Sequence, residues 1–250
     1  MGLGLNHWRV LAASVEGSGH RRSQTGCQDA HAWTVLPEDT LVAAVADGAG
    51  SARRAAEGSQ RAANFAVEYV AWRLCEHEAV EPPDLLIDAM SATRALLART
   101  AKAVGHPLND LATTLALVIA SPDGVWAGQI GDGTVVVAGS DGALSAIADG
   151  QRQEYLNETT FLTSKDWRSA CAVEYAPAPV ESIALLTDGL GLLALDLSDG
   201  ITPHTPFFQP LLGFARRDDA CPTELETFLG SERVATRTDD DVTLVLATLS

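Results

Sequence analysis

The sequence predicts an α+β fold in which antiparallel sheets are covered by helices. Short apolar runs rich in Val, Ile, Leu and Ala recur along the 250 residues, each bounded by Gly, Asp, Pro or Ser, as buried strands are. Two longer segments instead repeat their apolar residues at three- and four-residue steps, the mark of amphipathic helices. Hairpin turn signals separate neighbouring runs, and no linker, internal repeat or low-complexity stretch divides the chain. Residues 1–250 are therefore expected to form a single domain.

In chain order, strands are expected at Val10–Val15, Ala30–Leu36 and Leu41–Ala46. A helix over Ala52–Glu78 follows, with Ala55, Ala62, Phe65, Ala66, Tyr69 and Trp72 at helical spacing and Ser51 as its N-cap. A second helix over Pro83–Val104 carries Leu86, Met90, Leu96 and Leu97 and ends before Pro107. A meander of four more strands comes next, with runs at Ala112–Ala120, Val125–Ile130 and Thr134–Ala138 and turns at Ser121–Gly124 and Gly139–Gly142. Strands at Ile183–Leu186 and Val242–Ala247, with shorter helices, close the chain. Ala148–Asp166 reads as a polar loop too long for a simple turn, and loops of that length are often functional. Glu154, Asn157 and Glu158 are its candidates for shaping a substrate side. Trp8, Trp33, Trp72, Trp126 and Trp167 fall mainly in strand or helix patterns and are expected in the core.

Composition narrows the functional classes. A content of 46% hydrophobic and 20% charged residues argues against disorder. Seventeen basic against 33 acidic side chains give a net charge of −16. That balance disfavours nucleic acid, whose phosphates are bound by Lys and Arg, and disfavours an anionic membrane surface for the same reason. It leaves open a carboxylate cluster that holds cations. No apolar run is long enough to span a bilayer, and the opening MGLGLNHWRV lacks the basic and apolar regions of a signal peptide. Cys27, Cys75, Cys171 and Cys221 form no CxxC pair and read as buried free thiols of a reducing compartment, so the expected location is the cytoplasm.

The aspartates carry the chemistry. Asp-Gly occurs seven times, and at Asp123, Asp141, Asp149 and Asp199 a turn explains it. Asp47, Asp132 and Asp188 differ, because each ends an apolar, central-looking strand. Thr-Asp-Asp-Asp (238–241) stands at the start of the last strand, and Gln28-Asp29 opens the second. An ionised carboxylate at the rim of a dry core is costly unless it is paired or bound to a metal, and too few Lys and Arg lie nearby to pair them all. Hard divalent cations such as Mg²⁺ or Mn²⁺ suit such ligands. Other phosphate chemistries fit poorly. No GxxxxGK[ST], HExxH or GxSxG is present, and Gly-Asp-Gly-Thr (131–134) has Ile130 where a haloacid-dehalogenase nucleophile would stand.

Six segments in order resemble the metal-dependent protein serine/threonine phosphatases of type 2C, the PPM family. They are Cys-Gln-Asp-Ala-His (27–31), Val-Ala-Asp-Gly-Ala-Gly-Ser (45–51), Ala-Thr-Thr-Leu (112–115), Gly-Gln-Ile-Gly-Asp-Gly (128–133), Leu-Leu-Thr-Asp-Gly-Leu (185–190) and Asp-Asp-Asp-Val-Thr-Leu (239–244). The stretch from Glu154 to Thr163 looks like the compact bacterial branch. The resemblance runs from Arg9 to Ala247 and implies a four-layer α-β-β-α sandwich, with a central antiparallel β-sandwich and a dinuclear metal centre at one end.

It further implies hydrolysis of phosphoserine and phosphothreonine in proteins, with a hydroxide shared by two Mn²⁺ or Mg²⁺ ions attacking phosphorus directly. Asp47 would bridge the ions and the Gly48 carbonyl would bind one of them. Asp188 and Asp240 would complete the other, Asp240 because it leads Asp-Asp-Val-Thr where the family shows Asp-Asn-x-Thr. Asp29 would act through water, and Asp132 would help Asp188 hold a third ion.

The chain departs from the family at three positions: Gln28 replaces a Glu, Ala49 replaces a proton-donating His of animal members, and Gln24 stands where a phosphate-binding Arg is usual. Arg21 and Arg22 are the nearest substitutes, with Arg53 and Arg54 behind them. The expected partners are a phosphorylated protein and a cognate Ser/Thr kinase, and the chain is expected to act as a monomer. The competing reading is a catalytically silent phosphatase fold serving as a metal- or phosphoprotein-binding module.

Overall fold

The computed structural model describes residues 7–76, 80–147, 159–196, 198 and 201–249. The chain begins with β1 (Trp8–Val15), a short helix α1 (Ser18–Ser23), β2 (Asp29–Leu36) and β3 (Thr40–Asp47). Two long helices follow, α2 (Ala55–Cys75) and α3 (Pro82–Ala103), and then β4 (Leu115–Ser121), β5 (Gly124–Ile130), β6 (Thr134–Ala138) and β7 (Leu144–Ile147). Next come α4 (Trp167–Ala170), β8 (Ala172–Pro177), β9 (Ser182–Leu186), α5 (Gly191–Ala194) and the short strands β10 (Leu195–Asp196) and β11 (Thr202–Pro203). The chain closes with α6 (Thr205–Ala215), α7 (Pro222–Leu229), α8 (Glu232–Ala235) and β12 (Val242–Leu249).

Ten strands form two antiparallel sheets, ordered β1–β12–β9–β6–β7 and β2–β3–β4–β5–β8. The period of two along each strand builds the layers. Leu41, Ala43 and Val45 of β3 meet Val135 and Val137 of β6, Leu185 of β9 and Val245 of β12 between the sheets. Val42, Ala44 and Ala46, on the opposite face of β3, join the core formed with α2 and α3. On the far side, Leu244 and Leu246 of β12 belong to one cluster with Phe208 and Leu212 of α6 and Leu225 of α7. The result is the expected α-β-β-α stack. α2 lies close against its sheet because its buried face is small: Ala55, Gly58, Ser59, Ala62, Ala63 and Ala66. A Cβ on Gly58 would come within 2.5 Å of the Leu111 carbonyl.

Several local expectations need correction. The four strands after α3 are not one meander, because β4 and β5 pair in one sheet and β6 and β7 in the other. The chain crosses between sheets at Gly131, whose φ of 98° suits glycine, and a Cβ there would lie 2.4 Å from Thr114 Cγ2. Ser51 does not cap α2. The segment before the helix is tied elsewhere, by Ala49 N–H to the Ala112 carbonyl and Arg54 N–H to the Asp110 carbonyl, and α2 starts only after Arg54. Trp8 and Trp167 are buried, but Trp33 on the edge strand β2 and Trp72 on the outer part of α2 are 44% and 57% exposed. Cys75, at the last turn of α2, is exposed, and the other three thiols are half-buried. Glu154, Asn157 and Glu158 lie outside the described residues. The end of that segment is not a polar loop: Leu162 and Thr163 are buried, and the Leu162 N–H reaches the Thr113 carbonyl. Among the described residues, no helix is long and apolar enough to cross a membrane.

Antiparallel register brings the chemistry to one rim. Asp29 opens β2 directly opposite Asp47, which closes β3. Leu115 at the start of β4 faces Ile130 at the end of β5. Leu186, at the end of β9, faces both Thr134 at the start of β6 and Leu244 near the start of β12. Each strand end that carries an aspartate therefore lies at the same end of the sandwich.

Candidate metal centre

Asp47 is fixed through its backbone. Its N–H donates to Thr114 Oγ1 at 2.9 Å, and its carbonyl accepts from the Thr114 N–H at 2.8 Å and the Thr113 hydroxyl at 2.9 Å. The Thr-Thr pair thus holds the end of β3 while leaving the carboxylate clear. Gly48 follows because a Cβ there would lie 2.5 Å from the Ala55 carbonyl oxygen. Asp132 sits in the Gly-Asp-Gly crossing between sheets, where buried Gln129 donates its side-chain amide to the carbonyls of Gly131 and Gly133. Asp132 Oδ2 accepts from the Thr159 hydroxyl at 2.8 Å, whereas its Oδ1 is buried with no hydrogen-bond partner. Asp188 begins a 3₁₀ turn behind β9. Gly189, next to it, lets the chain pass Asp241, whose carbonyl oxygen would be 2.0 Å from a Cβ.

Asp47, Asp132 and Asp188 each offer an oxygen within 4.8 Å of the other two. Asp29 lies beneath them, buried, and Thr187 Oγ1 donates to its Oδ2 at 2.7 Å. Asp240 stands at the exposed edge with its Oδ1 accepting the Asp241 N–H at 2.8 Å. Burial, then repulsion from Asp29, Asp188, Asp240 and Asp132, pushes the Asp47 carboxyl far above the ordinary carboxylate range. Burial first and Asp132 and Asp240 second raise Asp188 to about 7. Burial also raises Asp29, against the opposing hydrogen bonds from Thr187 and Thr243. Among the described residues, no basic side chain forms an ion pair with Asp29, Asp47, Asp132 or Asp188. An oxygen-rich pocket of mutually repelling carboxylates with one orphaned oxygen fits a hard divalent cation. The neighbouring Cys27 thiol is pushed up to about 12, by burial and then by Asp241 and Asp29, and stays protonated, which removes it as a nucleophile.

The arginines expected to serve phosphate are already engaged. Arg21 donates to the Glu16 carbonyl while lining a small crevice with Asp240, and Arg22 reaches Ser18 and Asp239. Arg54 pairs with Glu57, whereas Arg53 is exposed and has no ion pair among the described residues. Ala49 is buried and offers no proton donor.

One functional carboxylate escaped sequence reasoning. Asp241 is 1% exposed, and its oxygens accept the Gly17 N–H at 2.6 Å and the Gln28 N–H at 2.5 Å. His20 Nδ1 lies 2.7 Å from the same carboxylate, outside hydrogen-bonding geometry. Asp241 therefore ties the α1 loop and the start of β2 to the start of β12. Three consecutive aspartates hid it, because only burial separates their roles.

The chain is similar to known proteins in both sequence and fold. The family model described as Protein phosphatase 2C matches residues 16–230. Serine/threonine-protein phosphatase 3 of Escherichia coli strain K12 is 36% identical over 249 residues, covering 96% of this chain and 98% of that one. Among solved structures, the serine/threonine phosphatase Stp1 from Staphylococcus aureus superposes with a TM-score of 0.65 at 12% identity, over 100% of this chain and 99% of its own. RsbX in complex with magnesium does so with a TM-score of 0.56 at 16% identity, over 98% and 96%.

Proposed function

The chain belongs to the protein phosphatase 2C family, and from that premise we propose that it is a metal-dependent hydrolase removing phosphate from serine and threonine side chains of proteins. The observation that carries the reading is the convergence of Asp47, Asp132 and Asp188 from three strand ends, with Asp29 and Asp240 beside them. Two Mn²⁺ or Mg²⁺ ions would be held by Asp47, the Gly48 carbonyl, Asp188 and Asp240, with Asp29 acting through water. Asp132 and Asp188 would hold a third. Such ions supply a water nucleophile at neutral pH and neutralise charge on the phosphoryl oxygens.

The chain's own residues do the rest. The Thr113–Thr114 clamp and the Gln129 bridge aim Asp47 and Asp132, and Thr187 fixes the Asp29 carboxylate. Arg21 and Arg22 stand on α1 beside Asp239 and Asp240, where they would draw the substrate phosphate toward the centre. With alanine at position 49, the proton for the leaving oxygen comes from water. We read residues 1–250 as one phosphatase domain, supported by the shared interior between the two sheets. It would work as a cytoplasmic monomer against the products of a cognate Ser/Thr kinase, without nucleic-acid or membrane partners, in keeping with the charge of −16. No observation favours a silent binding module.

The test is hydrolysis of p-nitrophenyl phosphate and a phosphothreonine peptide with Mn²⁺. EDTA should stop the reaction, and Asp47→Asn or Asp188→Asn should lower it by about 100-fold or more, since even outer-shell changes at metal sites cost ~10–100-fold. Activity unchanged in both variants would sink the assignment.

A further inference from the structure

Away from the carboxylate centre, a groove of about 720 Å³ lies between α5, α6, α7 and α8. Leu192, Leu193, Phe207 and Phe228 line it, and Arg233 and Arg237 supply its positive side. Leu192 is 76% exposed, more than any other large apolar residue described. Arg233 and Arg237 are exposed and have no ion pair among the described residues, whereas Arg9, Arg22, Arg54, Arg61 and Arg217 all meet carboxylates. The acid in the groove, Asp196, accepts the Ser198 N–H at 3.0 Å and the Ser198 hydroxyl at 2.7 Å through its Oδ1, and pairs with neither arginine among the described residues. In a chain of net charge −16, an apolar trough with two uncommitted guanidinium groups is complementary to an acidic, apolar ligand.

The groove adjoins the crevice at the start of β12. Val234 lines both the groove and the crevice that holds Arg21 and Asp240. Leu192 follows Asp188 by four residues, and Arg237 precedes Asp240 by three. Arg21 and Arg22 share their guanidinium groups with the Glu16 carbonyl and Asp239, so contacts beyond the phosphate would add to the affinity for a phosphoprotein. Binding energy from remote parts of a substrate is one source an enzyme can draw on for this.

We propose that this groove docks the phosphoprotein substrate itself, taking a segment near the phosphorylated residue in which an apolar side chain stands beside an acidic one. The apolar side chain would fill the Leu192–Phe207 trough as an anchor, and the acid would pair with Arg233 or Arg237. This rests on the phosphatase reading above and adds to it the chemistry of the substrate sequence.

The experiment compares phosphothreonine peptides carrying a Leu-Glu pair at successive distances on either side of the phosphate with controls carrying Ser-Gly, using p-nitrophenyl phosphate as a substrate too small to reach the groove. At one placement or more, Leu-Glu should lower KM about tenfold with kcat unchanged. Arg233→Glu and Leu192→Glu should each erase that gain and leave p-nitrophenyl phosphate hydrolysis intact; both positions are exposed, so the fold tolerates them. A KM independent of Leu-Glu at every placement, or a gain surviving both substitutions, overturns the proposal. So does a loss of self-association in Leu192→Glu with no change in KM, which would assign the groove to a second copy. If no substrate is hydrolysed with metal present, the phosphatase reading fails separately. The groove is then judged by fluorescence anisotropy of an unphosphorylated Leu-Glu peptide: binding lost in Arg233→Glu supports docking, and no binding overturns it.

Discussion

The two outer helical layers of the sandwich differ in kind. On one flank α2 and α3, 21 and 22 residues long, close over their sheet and bury Leu85, Leu86, Met90 and Leu97. On the other, α5 to α8 are short, the longest being the 11-residue α6, which carries Pro206 in its first turn and Pro210 inside. The small-residue face of α2 lies close to the sheet, and the large side chains of α3 fill the space beside it. Short helices with large apolar side chains meet it in patches and leave the groove between them. Both flanks bury a core, but only the short helices also leave an open groove between them.

The sharpest way to test that contrast is to make the same kind of truncation on both flanks. Leu86→Ala, under α3, should cost about 2–5 kcal/mol of unfolding free energy by urea denaturation, the usual range for buried leucines. Leu192→Ala, on the open flank, should stay within ~0.5 kcal/mol in the same assay, as exposed substitutions do. Comparable losses at both sites would mean that the groove is not an open surface.

The strap between the halves comes next in size. Asp241→Ala removes the acceptor for two buried N–H groups and should cost roughly 1–3 kcal/mol, with activity falling further as the loop before Asp29 loosens. Asp241→Asn keeps one acceptor oxygen and should lose less of both. Equal losses in the two variants would show that charge, rather than hydrogen bonding, holds the strap.

The smallest effect separates the rim from both flanks. Asp29 and Asp188 have folded pKa values raised above that of an unfolded carboxylate, so their stabilising contribution is complete at acid pH and is lost as pH rises through about 7. Metal-free protein should melt lower at pH 8 than at pH 6, and Mn²⁺ should cancel the difference. Leu86→Ala should lower both melting points equally, since burial pushes the Cys171 thiol packed against that core up to about 11, outside this pH range. A metal-free protein more stable at pH 8 would contradict the crowding of the carboxylates.

Much of this was legible in the chain because it is encoded locally. Apolar alternation marks β3 and β12, and the small residues of α2 mark a face that must approach a sheet. The aspartates closing β3 and preceding β6 and β12 were visible at strand ends, and antiparallel pairing then sends such ends to one rim. The exposure of Trp33 and Trp72 was not legible, because an aromatic at strand or helix spacing is buried only if another element arrives to cover it.

The sequence by itself determined the strand and helix periods, the order of the acidic motifs and, through them, the family. Those features depend on neighbours along the chain. Tertiary structure alone decided that Gly131 carries the chain from one sheet to the other, that Asp241 among three adjacent aspartates is the buried strap, and that a groove stays open between α5, α6, α7 and α8. Each of these depends on what distant segments bring to a position, and burial, unlike periodicity, has no local signature.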